Sequence, residues 1–570
     1  MPMSYRTMAQ ALLPRRLYKS VRILSSIRDA ARAAVAWVNG SENVSRQPAC
    51  RIENLESRQL LSVTLDANGW TVITPEVGDR VVYVSSSQGK DTNTGLSPTT
   101  PVKSLQRGKS LIRSGHGDEM LLKAGDTWHD SFSVWTSSGK SATDPVLISS
   151  YGTGARPLIE TGMNGAIQTG VVGATTVNNV AIIGLHFYAD GRDPNSSSYT
   201  GTHPASGINW LTQSNGLLIE NTLIEDYANG INLQGYYGTI SNVKVRRSTI
   251  INSWSTAGHS QGLYGTNVSN LLIEGNTFDH NGYNEKIKGA GQVITNHNIY
   301  LASDTSGVIV RDNVISRASA YGLQARGGGI IQNNLFLNNP MGMSFGLVNG
   351  ATTTAGGVSG SVTGNVFMGS GSVGSTPGVG LELGNLKPGA GVMVANNVFA
   401  NGTIDNRSAI VLTYGTGVSN SSQAVGINDL TIQNNSIYNW HGGVRIDGGF
   451  VPGGKGPTAI NRVKIINNTF QLMTGSILSV GGALVSSQET WSGNIFSGWT
   501  SINGNSQYLT SLALPSFDDP TRNVSTYDAT VGMGANLASF LSCEFQQCHL
   551  NWKQAFDAQS VVNYLMAGFK

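Results

Sequence analysis

Leu-Leu-Ile-Glu-Asn-Thr-Leu-Ile (217–224), Val-Lys-Val-Arg-Arg-Ser-Thr-Ile (243–250), Leu-Leu-Ile-Glu-Gly-Asn-Thr-Phe (271–278), Val-Ile-Val-Arg-Asp-Asn-Val-Ile (308–315) and Gly-Ile-Ile-Gln-Asn-Asn-Leu-Phe (329–336) are five versions of one phrase. Each reads as a short strand, a polar turn residue and a second short strand. The turn column runs through Thr222, Ser248, Asn276, Asn313, Asn334, Asn365, Asn397, Asn435, Asn468 and Asn494, at gaps of 26, 28, 37, 21, 31, 32, 38, 33 and 26 residues. A minimum that holds while insertions vary is the mark of a solenoid, whose units bury their apolar faces only by stacking. Asn at a fixed corner predicts a ladder in which each side chain hydrogen-bonds the coil above it.

A second column sets the faces. Gly230–Gln234, Gly262–Thr266, Asn298–Ala302, Gly322–Arg326 and Gly342–Gly346 alternate, and side chains on a strand alternate between faces. Ile231, Leu263, Ile299, Leu323 and Met343 are therefore expected inside, and Asn232, Tyr264, Tyr300, Gln324 and Ser344 outside. Glu220, Arg246, Glu274 and Arg311 form a further outward column of alternating sign, read as a structural charge ladder.

Composition agrees with this plan. Charged residues make up 12% of the 570, while Gly reaches 71 and apolar residues 39%, which suits a body of many tight turns rather than disorder. The net charge of +3 is uneven: residues 1–50 hold eight Arg or Lys against Asp29 and Glu42, a net +6 that leaves the rest at −3. Bulk electrostatics thus argue against nucleic acid, and an anionic ligand needs a local cation. No apolar run is long enough to span a bilayer. Cys50, Cys543 and Cys548 are too few for a disulfide framework, and a metal role for Cys543, Cys548 and His549 has little support from spacing.

The order of segments gives three parts: a basic targeting or linker segment at 1–62, a solenoid at 81–510, and a helical extension at 511–570. Leu55-Glu56-Ser57-Arg58-Gln59-Leu60-Leu61-Ser62 resembles the Glu-x-Arg-x-Leu-Leu-Ser motif near the start of many secreted planctomycete proteins, which implies export to the outside or the cell envelope. Val81–Val84, Asp91–Pro98, Pro101–Leu105 and the Ala124-Gly125-Asp126-Thr127 turn resemble the opening of bacterial right-handed parallel β-helix proteins of the pectate lyase-like class. The run from Phe517 to Arg522 and on to Phe569 resembles their C-terminal extension. The resemblance implies an all-β right-handed parallel β-helix with an N-terminal capping helix, for which Leu105–Ile112 is the candidate. It also implies a short helical extension, with Asp557 as an N-cap, folded over the last coil or the side of the stack. A single elongated body is expected to be a monomer.

The same resemblance implies a carbohydrate-active protein, foremost a polysaccharide lyase. Hydrolases, C5-epimerases and non-catalytic surface proteins share the shape. His297, Tyr300 and Arg326 are the candidate catalytic residues, with Tyr264, Gln324, His280 and Arg317 as substrate contacts. β-Elimination of an acidic polysaccharide would use Arg326 and Gln324 on the uronate carboxylate and His297 or Tyr300 for proton exchange, Tyr300 with its pKa lowered by Arg326. Pectate lyase-like proteins often hold calcium on carboxylates, for which Glu225, Asp226 and Asp279 are the nearest set. The same three are the only apparent source of the two carboxylates a hydrolase needs. Tyr264 and Tyr300 also read as plain aromatic stacking on a sheet. No candidate of this kind stands out after residue 350.

Overall fold

The computed structural model describes residues 63–570 except 171–175, 348–352, 403–407, 414–424, 448–459, 482–488, 503 and 515. The basic segment 1–62, its export motif and Cys50 lie outside the described residues.

Three parallel sheets wind around one core. Sheet I is 14-stranded and runs from Val81–Val84 to Thr490–Ser492. Sheet II contains Leu223–Glu225, Thr249–Ile251, Thr277–Asp279, Val314–Ser316 and Leu335–Leu337. Sheet III contains Asn229–Gln234, Gln261–Thr266, His297–Leu301, Tyr321–Ala325 and Met341–Phe345. From Glu119–Lys123 onward the coils feed all three sheets, and neighbouring coils pair parallel: Leu217 with Val243 with Leu271 in sheet I, Ile224 with Ile250 with Phe278 in sheet II. This is a right-handed parallel β-helix.

The I–II corner carries the expected ladder. Thr222 N–H donates to Ser248 Oγ at 3.1 Å and Ser248 N–H to Asn276 Oδ1 at 3.0 Å. From Asn276 onward each Asn donates both its backbone N–H and its Nδ2 to the Oδ1 of the next, through Asn313, Asn334, Asn365, Asn397, Asn435, Asn468 and Asn494. Remaining Nδ2 capacity goes to carbonyls of the previous coil, such as Asn334 to Val310 at 2.9 Å. The residue before each ladder member, where described, turns the chain with positive φ: Asn221, Arg247, Gly275, Asp312 and Asn333 lie between 45° and 65°. Asn, Asp and Gly tolerate that region best, which is why they crowd this corner.

Inside, Ile231, Leu263, Ile299, Leu323 and Met343 stack in register and are fully buried. Phe336, Phe367 and Phe399 form a parallel column with ring centroids 4.5 and 4.7 Å apart. On sheet I the charge ladder stands as read, with Arg246 on Glu220 at 3.2 Å and on Glu274 at 2.7 Å, and Arg311 on Glu274 at 2.5 Å.

The first rung is covered as an exposed rung requires. Helix α1 (Leu105–Ser110), capped by Ser104, buries Leu105 and Gly108 against the first coil. The C-terminal extension contributes α2 (Val524–Thr530), α3 (Leu537–Gln546) and α4 (Ala558–Ala567), the last capped by Asp557. Of the two coverings expected for it, the extension takes the side. Phe540, Leu541, Val561, Val562 and Leu565 pack on Val314, Leu335, Leu337, Val366, Met368, Val398 and Ala400, the outward apolar side chains of sheet II.

Candidate active-site cleft on sheet III

The outward column of sheet III runs Asn209, Asn232, Tyr264, Tyr300, Gln324, Ser344, Glu382, Val411 and Arg445, each paired in register with the next. Parallel neighbours stand about 4.8 Å apart. A cleft of about 270 Å³ opens over the middle of this column, lined by His297, Tyr300, Tyr321, Gln324, Arg326 and Glu382, with His259, Ile294 and Thr295 on one flank and Thr376, Pro377 and Val379 on another. All three predicted catalytic residues and Gln324 are therefore brought together.

His297 reaches the outer face because the II–III corner interrupts the alternation. Asn298 and Ile299 both point inward: Asn298 bonds Asn281 and the Ser316 carbonyl inside the corner, and Ile299 is in the core. His297 and Tyr300 thus share a face although they are three apart. The same rule puts Tyr321, two before Leu323, beside His297, with ring centroids 5.5 Å apart.

The electrostatics differ from the expectation for Tyr300. Burial raises its phenol above the usual value and outweighs the opposing pull of Arg326, so the group is a proton donor at neutral pH, not a pre-ionised base. Burial, helped by the charge of Arg326, lowers His297 to about 3 and keeps it neutral. Its Nδ1 accepts the Tyr321 N–H at 3.3 Å, which places the ring proton on Nε2. His297 is therefore a donor too, and of the proton exchange expected of it donation is the direction this geometry fits. Arg326 lies over Tyr300, its guanidinium carbon 4.6 Å from the ring centroid, and has no ion-pair partner among the described residues. Arg326 Nε and Gln324 Oε1 are buried without hydrogen bonds.

Two residues escaped the sequence reading. Tyr321 donates its hydroxyl to Glu382 Oε2 at 2.7 Å, and Thr413 donates to Glu382 Oε1 at 3.2 Å. Glu382 follows the Gly-rich insertion that broke the repeat alignment, so the expectation of nothing after residue 350 is corrected. The register Gln324–Ser344–Glu382 was its available signal.

The remaining candidates sit elsewhere. Tyr264 extends the column one coil before Tyr300, ring centroids 5.2 Å apart. His280 and Arg317 belong to the II–III corner, where Asp226, Asn252, His280, Arg317 and Asn338 share a positive φ of 46–66°. Their column is a backbone conformation, not a binding face. Arg317 holds Asp279, while His280 contacts Asn252 Oδ1 at 3.0 Å and Glu285 at 3.0 Å. The carboxylate trio is also dispersed: Glu225 pairs with His186 at 2.6 Å, and Asp279 is held by Ser316 and Arg317. Ile251 stands between Glu225 and Asp279 in the register. Burial, with Glu225 beside it, pushes Asp226 well above the carboxylate range. Among the described residues the donor atoms close enough to share a cation are those of Asp79, His116 and Asp118, and Arg113 already occupies Asp118 at 2.6 Å. Cys543 and Cys548 are free thiols, and His549 pairs with Asp66 at 3.0 Å.

A family model described as a right handed beta helix region matches residues 172–367. A lacto-N-biosidase of Bifidobacterium longum subsp. longum is 37% identical over 71 residues, 12% of this chain and 4% of that protein, so the match spans a small fraction of its length. Among solved structures, a GH136 lacto-N-biosidase from Eubacterium ramulus is similar at 13% identity and a TM-score of 0.32, covering 73% of this chain and 67% of that one. The catalytic domain of a GH87 alpha-1,3-glucanase is similar at 13% and 0.44, over 75% and 71% of the two chains. A pectate lyase is similar at 12% and 0.36, over 80% and 86%. No helix among the described residues is long and apolar enough to cross a membrane.

Proposed function

We propose that the protein is a secreted or cell-envelope carbohydrate-active protein that binds a uronate-containing polysaccharide, pectate-like or alginate-like, in the sheet III cleft and cleaves it by β-elimination. The observation that carries this reading is Arg326, a half-buried guanidinium laid on Tyr300 in the cleft with no carboxylate partner among the described residues. Taking a cation partly out of water without a counter-ion is costly, and a ligand carboxylate recovers that cost. Gln324, one strand over from Tyr300, adds amide donors beside it.

Pairing the uronate carboxylate with Arg326 acidifies the adjacent C–H bond. A base must then take that proton as the C–O bond to the leaving sugar breaks and the C=C bond forms. Glu382 is the carboxylate of the cleft lining and is assigned this step, while Tyr300, held as a phenol, gives its proton to the leaving oxygen. The Nε2–H of His297 is left to bind a sugar hydroxyl. Hydrolysis would need a second carboxylate, and the described lining offers Glu382 alone. Calcium on Glu225, Asp226 and Asp279 plays no part in this reading, because those groups serve other contacts.

A binding protein without turnover is the second reading, favoured by Glu382, whose two oxygens already accept hydrogen bonds from Tyr321 and Thr413. Incubation with pectate, alginate and glycosaminoglycans, with and without chelator, tests both. Near-ultraviolet absorbance from unsaturated ends is the expected result. New reducing ends without that absorbance would mean hydrolysis, and retention of the polymer with neither would mean binding alone.

A further inference from the structure

Beyond Glu382 the outward column does not continue as an open surface. Its next member, Val411, is fully buried although it lies on the same face as Tyr264 and Tyr300, which are half-buried. The cover is a two-stranded hairpin, Ser372–Val373 paired antiparallel with Thr376–Pro377, that leaves the II–III corner just before Leu381–Leu383. Val373 and the following Val379 pack with Ala320, Tyr321, Met341 and Val411 in an apolar cluster outside the main core. That cluster fixes the hairpin to the sheet, so it is a wall and not a lid. Thr376 and Pro377, on its returning strand, line the cleft together with Glu382.

On the other side the column steps from Tyr300 to Tyr264 and Asn232, all partly exposed, and Asn232 Nδ2 donates to Asn209 Oδ1 at 2.6 Å one coil further on. Aromatic rings followed by amides, at one strand spacing each, make a track along the stack. The track leads into the Arg326 cleft and ends at the hairpin.

We infer that the cleft is a blind groove that takes chain ends: the terminal sugars of an acidic polysaccharide enter over Tyr264 and Tyr300 and stop against Ser372–Pro377. This rests on the reading above and adds the mode of action. Cleavage removes a short product of fixed size from one end, and the interior of a long chain cannot lie across the site. Glu382 and the Tyr321 hydroxyl on it meet the last sugar, whose additional free hydroxyl is the chemical difference between an end and an interior unit.

The test is the number of protein molecules held per chain at saturation, measured by analytical ultracentrifugation on homogalacturonan and polymannuronate fractions of short, intermediate and long length. Tyr300→Phe is used, since it keeps the ring under Arg326 and lacks the proton donor. The expected result is one protein per chain at every length. A number that grows with chain length overturns the blind groove and leaves the uronate reading standing. No binding to either polymer overturns the uronate reading and the groove together. The wild-type protein gives an independent readout: a single small product from the first minutes with slow loss of viscosity supports the inference, and an early spread of sizes with a sharp fall in viscosity overturns it.

Discussion

The Arg326 guanidinium carbon stands 4.6 Å from the centroid of the Tyr300 ring, one coil away across sheet III. The contact gives the cation an electron-rich surface to rest on without neutralising it, so its charge stays available to the cleft. A cation–π contact of this kind is worth about 0.5–2 kcal/mol. Leaving Nε buried and unbonded costs about 1–3 kcal/mol. The two nearly cancel, and Arg326→Ala is expected to abolish turnover and acidic-chain binding while moving the melting temperature little. Calorimetry of the variant beside its activity checks this, and a variant that loses stability but keeps specific activity would return Arg326 to a structural role.

His297 supplies a pH dependence whose sign is fixed. Its pKa falls from 6.5 to about 3 on folding, so between those values the unfolded chain binds a proton that the native protein does not. The stabilising effect of a neutral His297 is complete above the unfolded value and is lost as pH falls toward about 3. Denaturant titrations at descending pH should show stability falling through this window by a few kcal/mol, with a shallower fall in His297→Gln. Activity should show no acid limb near 6.5 arising from this group.

Glu544 on α3 has the opposite sign. Burial raises its carboxyl well above the usual range, against a hydrogen bond that Thr277 donates to it at 3.1 Å. The native state therefore holds a proton that the unfolded chain releases, and stability falls as pH rises above about 4.5. Glu544→Gln should raise the melting temperature at neutral pH, and the gain should vanish on acidification below the unfolded value.

Leu323 is fully buried between Ile299 and Met343. Leu323→Ala should cost about 2–5 kcal/mol in chemical denaturation, through lost transfer energy and the cavity left between two coils.

Asn334 donates to the Val310 and Gln332 carbonyls and to Asn365 Oδ1, and accepts from Asn313. Asn334→Ala strips partners from two buried coils at once, each orphaned group costing about 1–3 kcal/mol. Asn334→Asp turns a carboxylate oxygen onto three acceptor oxygens in a buried site, so a loss at least as large, growing as pH rises, is expected in the same denaturation assay.

The ladder and the inward column were legible in the sequence because one residue type recurs at one backbone conformation, with the core two residues away. Asn276 through Asn494 need no knowledge of loop paths. His297 and Tyr321 were harder, because strict alternation fails where Asn298 and Ile299 both turn in. Glu382 was hidden by the insertion before it, although Ser344 pointed to it by register. Apolar residues on both faces of Leu335-Phe336-Leu337 were the overlooked sign that sheet II has a cover. No local pattern announces that the cover comes from Phe540 and Val561, more than two hundred residues later.

That cover has a mechanical consequence. A bare solenoid passes force and unfolding from one coil only to the next. Here the extension touches Arg156 through the Gln547 carbonyl, Thr277 through Glu544, Asn333 through Gln559, and Ser436 through the Phe569 carbonyl. It works as a splint laid across many rungs: opening any one of them must also pry off a segment fastened to the others, so the stack should come apart in a single concerted step instead of unzipping from an end.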